Sequence, residues 1–197
     1  MERTVKEVHG SLQVTLPKEL AVRSGIVKGM HLRFEAHAAG ILLRSSASDA
    51  RVLWTIGYEG ETPGSFIAEL SRRGIQRLFD VRELPLSRRK GFSKTPLAAE
   101  LAKAGIEYVH QRDLGAPARI RKPFVAGGAF ATFRDGYLQH LRAVRPALDH
   151  VERDALSART AIMCVEYSHS QCHRQFIAQA IAERGFEIRH IQPERRA

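Results

Sequence analysis

The chain has 197 residues, 44% of them hydrophobic and 26% charged, which suits one medium globular domain or a small and a medium one and excludes a disordered or fibrous chain. It holds 31 Lys and Arg against 21 Asp and Glu, a formal net charge of +10, which favours anionic partners such as nucleic acid, nucleotides or phosphorylated substrates. No apolar run reaches a membrane span, no signal core opens the sequence, and two cysteines make no disulfide framework, so the expected setting is a reducing cytoplasm with no membrane partner. Elements are then legible in chain order. Val5–Val8 and Ser11–Leu16 read as strands, the second alternating at period two. Pro17 opens a short helix from Lys18 to Ser24, closed by Gly25. His31–Ala36 and Ile41–Arg44 form a hairpin across Ala38-Ala39-Gly40. Small polar residues near Ser45–Asp49 mark a linker, giving domains at 1–46 and 52–197 with a connection at 47–51.

Strand–helix alternation follows. Val52–Ile56 is a strand, and Thr62 caps a helix with Pro63 at its first position and Phe66, Ile67 and Leu70 on one face. Leu78–Val81 is the next strand. Thr95 caps a helix carrying Leu97 and Leu101, and Ile106–Val109 is the third strand. A long helix runs from Phe130 to Leu148 with a kink at Pro146. Ala161–Val165 is the fourth strand, Ser170 caps a helix to Arg184, and Phe186–Ile191 is the fifth strand. The fold class expected is α/β: a mostly parallel, five-stranded, Rossmann-like sheet with helices on its faces, behind a small β domain. About 45 residues cannot bury a core alone, so the first domain should be completed by a second copy.

Val5-Lys6-Glu7-Val8, Gln13–Leu20, Ser24-Gly25-Ile26, Lys28-Gly29-Met30 and Phe34-Glu35 together resemble the AbrB/MazE/SpoVT family across residues 3–44. The resemblance implies a swapped-hairpin barrel made by two interleaved chains. It also implies binding of double-stranded DNA by basic residues, here Lys6, Lys18 and Arg23. A module that only dimerises is the alternative.

Thr55–Gly60, Asp80-Val81-Arg82, Pro85, Ser87-Arg88, Gly91-Phe92, Leu114-Gly115, Cys164-Val165-Glu166 and Cys172-His173-Arg174 resemble the DUF 488 family over about residues 51–192. That implies an α/β fold and no known activity. The residues themselves suggest more. Ligands bind open α/β sheets at the carboxyl ends of strands, so Thr55, Gly57, Tyr58, Arg82, Arg88 and Arg174 are expected to line one anion site. Arg82 paired with Asp80 or Glu83 is the structural alternative.

Cys172 and His173, in the first turn of a helix, are expected to favour a thiolate nucleophile, with Glu166 as acid or base. Packing alone is the alternative for both cysteines. No metal is assigned, because the gap between Cys164 and Cys172 is not a standard zinc spacing, although Cys164, Cys172 and His173 leave that possibility open. The sequence does not identify a cofactor. Two functions remain: an enzyme acting on a phosphorylated or nucleotide-like substrate, and a DNA-binding regulator whose α/β domain senses a small anion.

Overall fold

A computed structural model describes residues 4–23, 32–37, 40–45 and 51–192. Two compact units divide between residues 47 and 48. The expected helix stop at Ser24-Gly25, the strand start at His31 and most of the linker lie outside the described residues.

The first unit contains two antiparallel hairpins. Strands β1 (Lys6–Val8) and β2 (Ser11–Gln13) join through His9 and Gly10, both at positive φ, the backbone that a tight two-residue hairpin requires. Helix α1 (Lys18–Arg23) follows, then β3 (Leu32–His37) paired with β4 (Gly40–Ser45). Each hairpin is its own two-stranded sheet, and such a sheet is marginal in water by itself. Val5, Leu12, Val14, Leu20, Phe34 and Ile41 are each at least 50% exposed. So many large apolar side chains facing water in one small unit is unusual.

The second unit is the α/β fold the sequence suggests. Its elements are β5 (Val52–Gly57), α2 (Pro63–Arg72), β6 (Arg77–Asp80), α3 (Lys94–Lys103), β7 (Glu107–His110), α4 (Ala118–Val125), α5 (Phe130–Ala143), α6 (Arg145–Ser157), β8 (Thr160–Cys164), α7 (Arg174–Ala182) and β9 (Glu187–Ile191), with short 3-10 turns at Arg112–Leu114 and His169–Gln171. The sheet order is β7-β6-β8-β5-β9, all parallel.

One core layer packs Phe66, Leu70, Leu97 and Leu101 of α2 and α3 against Ile56, Leu78 and Met163. The other packs Tyr137, Leu148, Val151 and Ile177 of α5, α6 and α7 against Leu53, Phe79 and Ile162. Side chains alternate between these layers along each strand. β8 therefore sends its chain to the layer opposite those that follow β5 and β6, and its carboxyl end stands at a switch point. Among the described residues, no helix is long and apolar enough to cross a membrane.

Three boundaries differ from expectation. Ser93, not Thr95, precedes α3, and its Oγ accepts from the Ser87 amide instead of capping the helix. The long helix is two helices, broken at Val144 (φ −106°, ψ 30°) beside Pro146, which has no N–H for the preceding turn. Helix α7 begins at Arg174, not near Ser170, so Cys172 and His173 lie before its first turn.

Candidate functional site at the carboxyl rim

The strand ends gather most of the sequence-predicted residues at one rim, but in separate groups with different tasks. At the end of β5, buried Thr55 shares a 2.8 Å hydrogen bond with His190 Nδ1 on β9. Gly57 is a packing requirement. A Cβ there would stand 1.9 Å from the Glu166 carbonyl oxygen. The close approach lets the ladder continue past the strands, with the Tyr58 amide donating to the Cys164 carbonyl at 3.3 Å and the Glu59 amide to the Val165 carbonyl at 2.9 Å.

Asp80 ends β6 between Phe79 and Val81, which face the opposite layer, so its carboxylate turns toward α2 and α3. Arg82 folds back onto it. Nε donates to Oδ1 at 2.8 Å and Nη2 to Oδ2 at 2.5 Å, while Nη1 donates to Tyr58 Oη at 3.1 Å. Tyr108 Oη adds a 2.5 Å hydrogen bond to Asp80 Oδ2. Asp80 is 0% and Arg82 4% exposed. Burial alone would lower the Arg82 pKa, but the bonds and charge of Asp80 outweigh it and raise it; burial and Asp80 likewise raise that of Tyr108. Arg82 is thus the cation of a buried pair, and each nitrogen of its fork already donates to a partner. The sequence signal was present: a carboxylate inside the apolar run Leu78-Phe79-Asp80-Val81 needs a cation.

The segment after Arg82 is rigidly held. Phe92 stacks on Tyr58 (centroids 4.4 Å) and meets Phe66 edge-on. The Lys94 amide donates to the Pro85 carbonyl at 2.8 Å. Gly91 sits at φ 89°, and a Cβ would meet Pro63 Cγ at 2.4 Å. Arg88, Arg89, Lys90 and Lys94 stand exposed on this frame. Only Arg89 has a side-chain partner among the described residues, the Glu61 carbonyl at 2.8 Å.

Glu83 ties this loop to the next basic segment. Its Oε1 accepts from the Ala118 amide at 3.2 Å, at the start of α4, and its Oε2 pairs with Arg121 at 3.2 Å. Arg112, Arg119 and Lys122 are exposed beside it without an acidic partner among the described residues. Helix α4 was not legible: it buries no side chain completely and contains Pro123, so its residues read only as a basic loop.

Cys164, Cys172 and His173 form the third group, 3%, 2% and 7% exposed. Burial, then Cys164, pushes the Cys172 thiol well above its usual value. That corrects the expectation of a thiolate favoured by a helix start: the extended backbone of Cys172 (φ −130°, ψ 144°) precedes the helix. A buried, protonated thiol is a poor nucleophile.

Burial alone would raise the Glu166 pKa, but interactions with Cys172, its own backbone, His173 and Cys164 hold it below the usual carboxylate range. Arg174, 1% exposed, clamps the loop after β8, donating from Nη1 to the Glu166 carbonyl at 2.5 Å and from Nη2 to the Tyr167 carbonyl at 2.8 Å. It is a second arginine committed to the fold. His169 and His190, neither nominated by the sequence, stack at 3.5 Å. Burial lowers both their pKa values, with Arg174 contributing to each and His169 to His190.

Lys6 and Lys18 are exposed on β1 and at the start of α1, and Arg23 ends that helix. They belong to the first unit.

Residues 62–181, more than half of the chain, match the family described as "Domain of unknown function DUF488". The match takes in Arg82, Arg88, Glu166, Cys172, His173 and Arg174, and begins after Thr55, Gly57 and Tyr58. No curated protein and no solved structure matches the chain.

Proposed function

We propose a function for this chain, which belongs to the DUF488 family, from the geometry of its rim: it is a homodimer that binds duplex DNA. One observation carries the reading. Arg88, Lys90, Lys94, Arg112, Arg119 and Lys122 are exposed, on two segments joined by Glu83, with no acidic side-chain partner among the described residues. An array of separate surface cations suits a chain of phosphates, whose neutralisation dominates DNA affinity. A small-anion clamp would draw on the guanidinium forks of Arg82, already on Asp80 and Tyr58, and of Arg174, whose Nη1 and Nη2 already hold the Glu166 and Tyr167 carbonyls. The rigid frame of Phe92, Tyr58 and Gly91 lowers the entropy cost of presenting the cations.

Dimerisation draws on the first unit and on its AbrB-like resemblance, a stretch the family match does not reach. Exposed Leu12, Phe34 and Ile41 and the two lone hairpins are what a second copy would cover. Interleaving would also bring two sets of Lys6, Lys18 and Arg23 to one duplex. The expected mass by light scattering is twice 22.1 kDa at micromolar concentration. Leu12→Asp with Ile41→Asp should reduce it to the monomer, and a native monomer would refute the dimer.

For DNA, fluorescence anisotropy of a labelled duplex with the full chain should show binding that weakens steeply as salt rises. Binding indifferent to salt, or none at low salt, would refute the reading.

A further inference from the structure

We propose that Cys164, Cys172 and His173 form a site for a zinc-like divalent cation. The inference is independent of DNA binding. His173 Nδ1 lies 3.7 Å from Cys164 Sγ and 3.9 Å from Cys172 Sγ. The two sulfurs and a ring nitrogen all fall within 4.8 Å of one another. With zinc–sulfur bonds of about 2.3 Å and zinc–nitrogen bonds of about 2.0 Å at tetrahedral angles, sulfur and nitrogen ligands stand about 3.5 Å apart. The side chains are therefore already spaced as ligands of one ion, without a backbone rearrangement.

The imidazole is also oriented for this role. Its Nε2 lies 2.8 Å from the Val81 carbonyl oxygen. A carbonyl can only accept, so Nε2 carries the proton, and the lone pair of the neutral ring is on Nδ1, facing the sulfurs. A histidine ligand held by a carbonyl through its other nitrogen is the usual outer-shell arrangement at a metal. Tyr137 meets the His173 ring edge-on at 5.2 Å and helps hold it in place.

Glu166 stands beside this set, outside the three ligand atoms already gathered. Its Oε2 is buried without a hydrogen-bond partner. A buried carboxylate oxygen left unpaired is costly, and a cation would satisfy it. Two thiolates and one imidazole supply three ligands of a zinc-like ion, with the fourth position left to solvent or a small shift of Glu166. On binding, the two thiol protons leave to solvent and each sulfur donates an electron pair to the ion.

The test uses the full chain, purified under reducing conditions, loaded with Zn²⁺ alone and desalted. One ion per chain is expected. X-ray absorption should show two sulfur neighbours at about 2.3 Å and two nitrogen or oxygen neighbours at about 2.0 Å. Co²⁺ in place of Zn²⁺ should give the intense visible bands of a tetrahedral site and a thiolate charge-transfer band, which Cys172→Ser should reduce by about half, for one thiolate of two. If that variant does not fold, the absorption spectrum of the unaltered chain decides. A folded, reduced chain that retains no zinc, a site with oxygen and nitrogen neighbours only, or a chain isolated with Cys164 and Cys172 joined as a disulfide would each overturn the proposal.

Discussion

Arg82→Ala is expected to destabilise the α/β unit by about 3–5 kcal/mol, the cost of leaving a buried charge without its partner. The cause is Asp80, fully buried and held through both carboxylate oxygens by the one guanidinium. At about 2–4 °C per kcal/mol for a unit of this size, the melting temperature should fall by on the order of 10 °C. Arg82→Lys should recover only part of the loss, because an ammonium cannot span both oxygens. Adding Asp80→Asn to Arg82→Ala should recover more, since it removes the stranded charge. Thermal denaturation of the four proteins checks this. An unchanged melting temperature in Arg82→Ala would show that the pair does not hold the fold. The sequence places Arg82 at the rim as an anion ligand, with a cost in affinity alone; the geometry moves that cost to stability.

Gly57→Ala should damage the fold at least as much. The added methyl group would sit 1.9 Å from the Glu166 carbonyl oxygen and 2.6 Å from its carbon, and neither is the movable end of a side chain. β5 and β8 would have to separate at their carboxyl ends, breaking the Tyr58–Cys164 and Glu59–Val165 backbone bonds. Overpacking in a core costs about 1–3 kcal/mol where side chains can yield, and a backbone collision should reach at least the top of that range. Gly64→Ala is the control: it lies in α2, where the added Cβ would meet only Thr62 Oγ1 at 4.0 Å, so little change or a small gain in helix stability is expected. Equal melting temperatures for both variants would contradict the account of Gly57.

The architecture was legible where local chemistry and packing agree. Thr62-Pro63 reads as a helix start, and the Thr62 side chain and Ser65 cap each other's backbone amides there. Ile56, Leu78 and Met163 lie in apolar runs that became central strands of a sheet buried on both faces. Helix α4 was hidden because its apolar face is only Ile120 and Phe124, neither fully buried, beside the internal Pro123, and because its start is capped by Glu83, 35 residues earlier in the chain.

The rim was only half legible. Its residues were found by motif and strand position, but sequence does not show which guanidiniums are already engaged. Arg82 and Arg88 read alike, yet one lies under Tyr58 and the other faces water. Cys164, Cys172 and His173 fit no standard metal spacing, because the chain leaves β8, turns through His169–Gln171 and returns before α7 starts. That return sets the three ligand atoms side by side, and no periodicity in the sequence encodes it.

DNA binding at the rim is tested most directly by the salt dependence of duplex affinity in two variant sets. One carries Arg88→Ser, Lys90→Ser and Lys122→Ser, all at exposed positions outside the buried pairs. The other carries Lys6→Ala and Lys18→Ala. Each phosphate contact removed should lower the slope of log affinity against log salt by about 0.9. The rim set should therefore lose on the order of 2–3 in slope for each chain of the dimer whose rim engages the duplex and bind far more weakly at low salt, with its melting temperature unchanged. A rim set that binds duplex with the affinity and slope of the unaltered chain would contradict DNA recognition by the carboxyl rim, and loss confined to the Lys6 and Lys18 set would place the contact on the first unit alone.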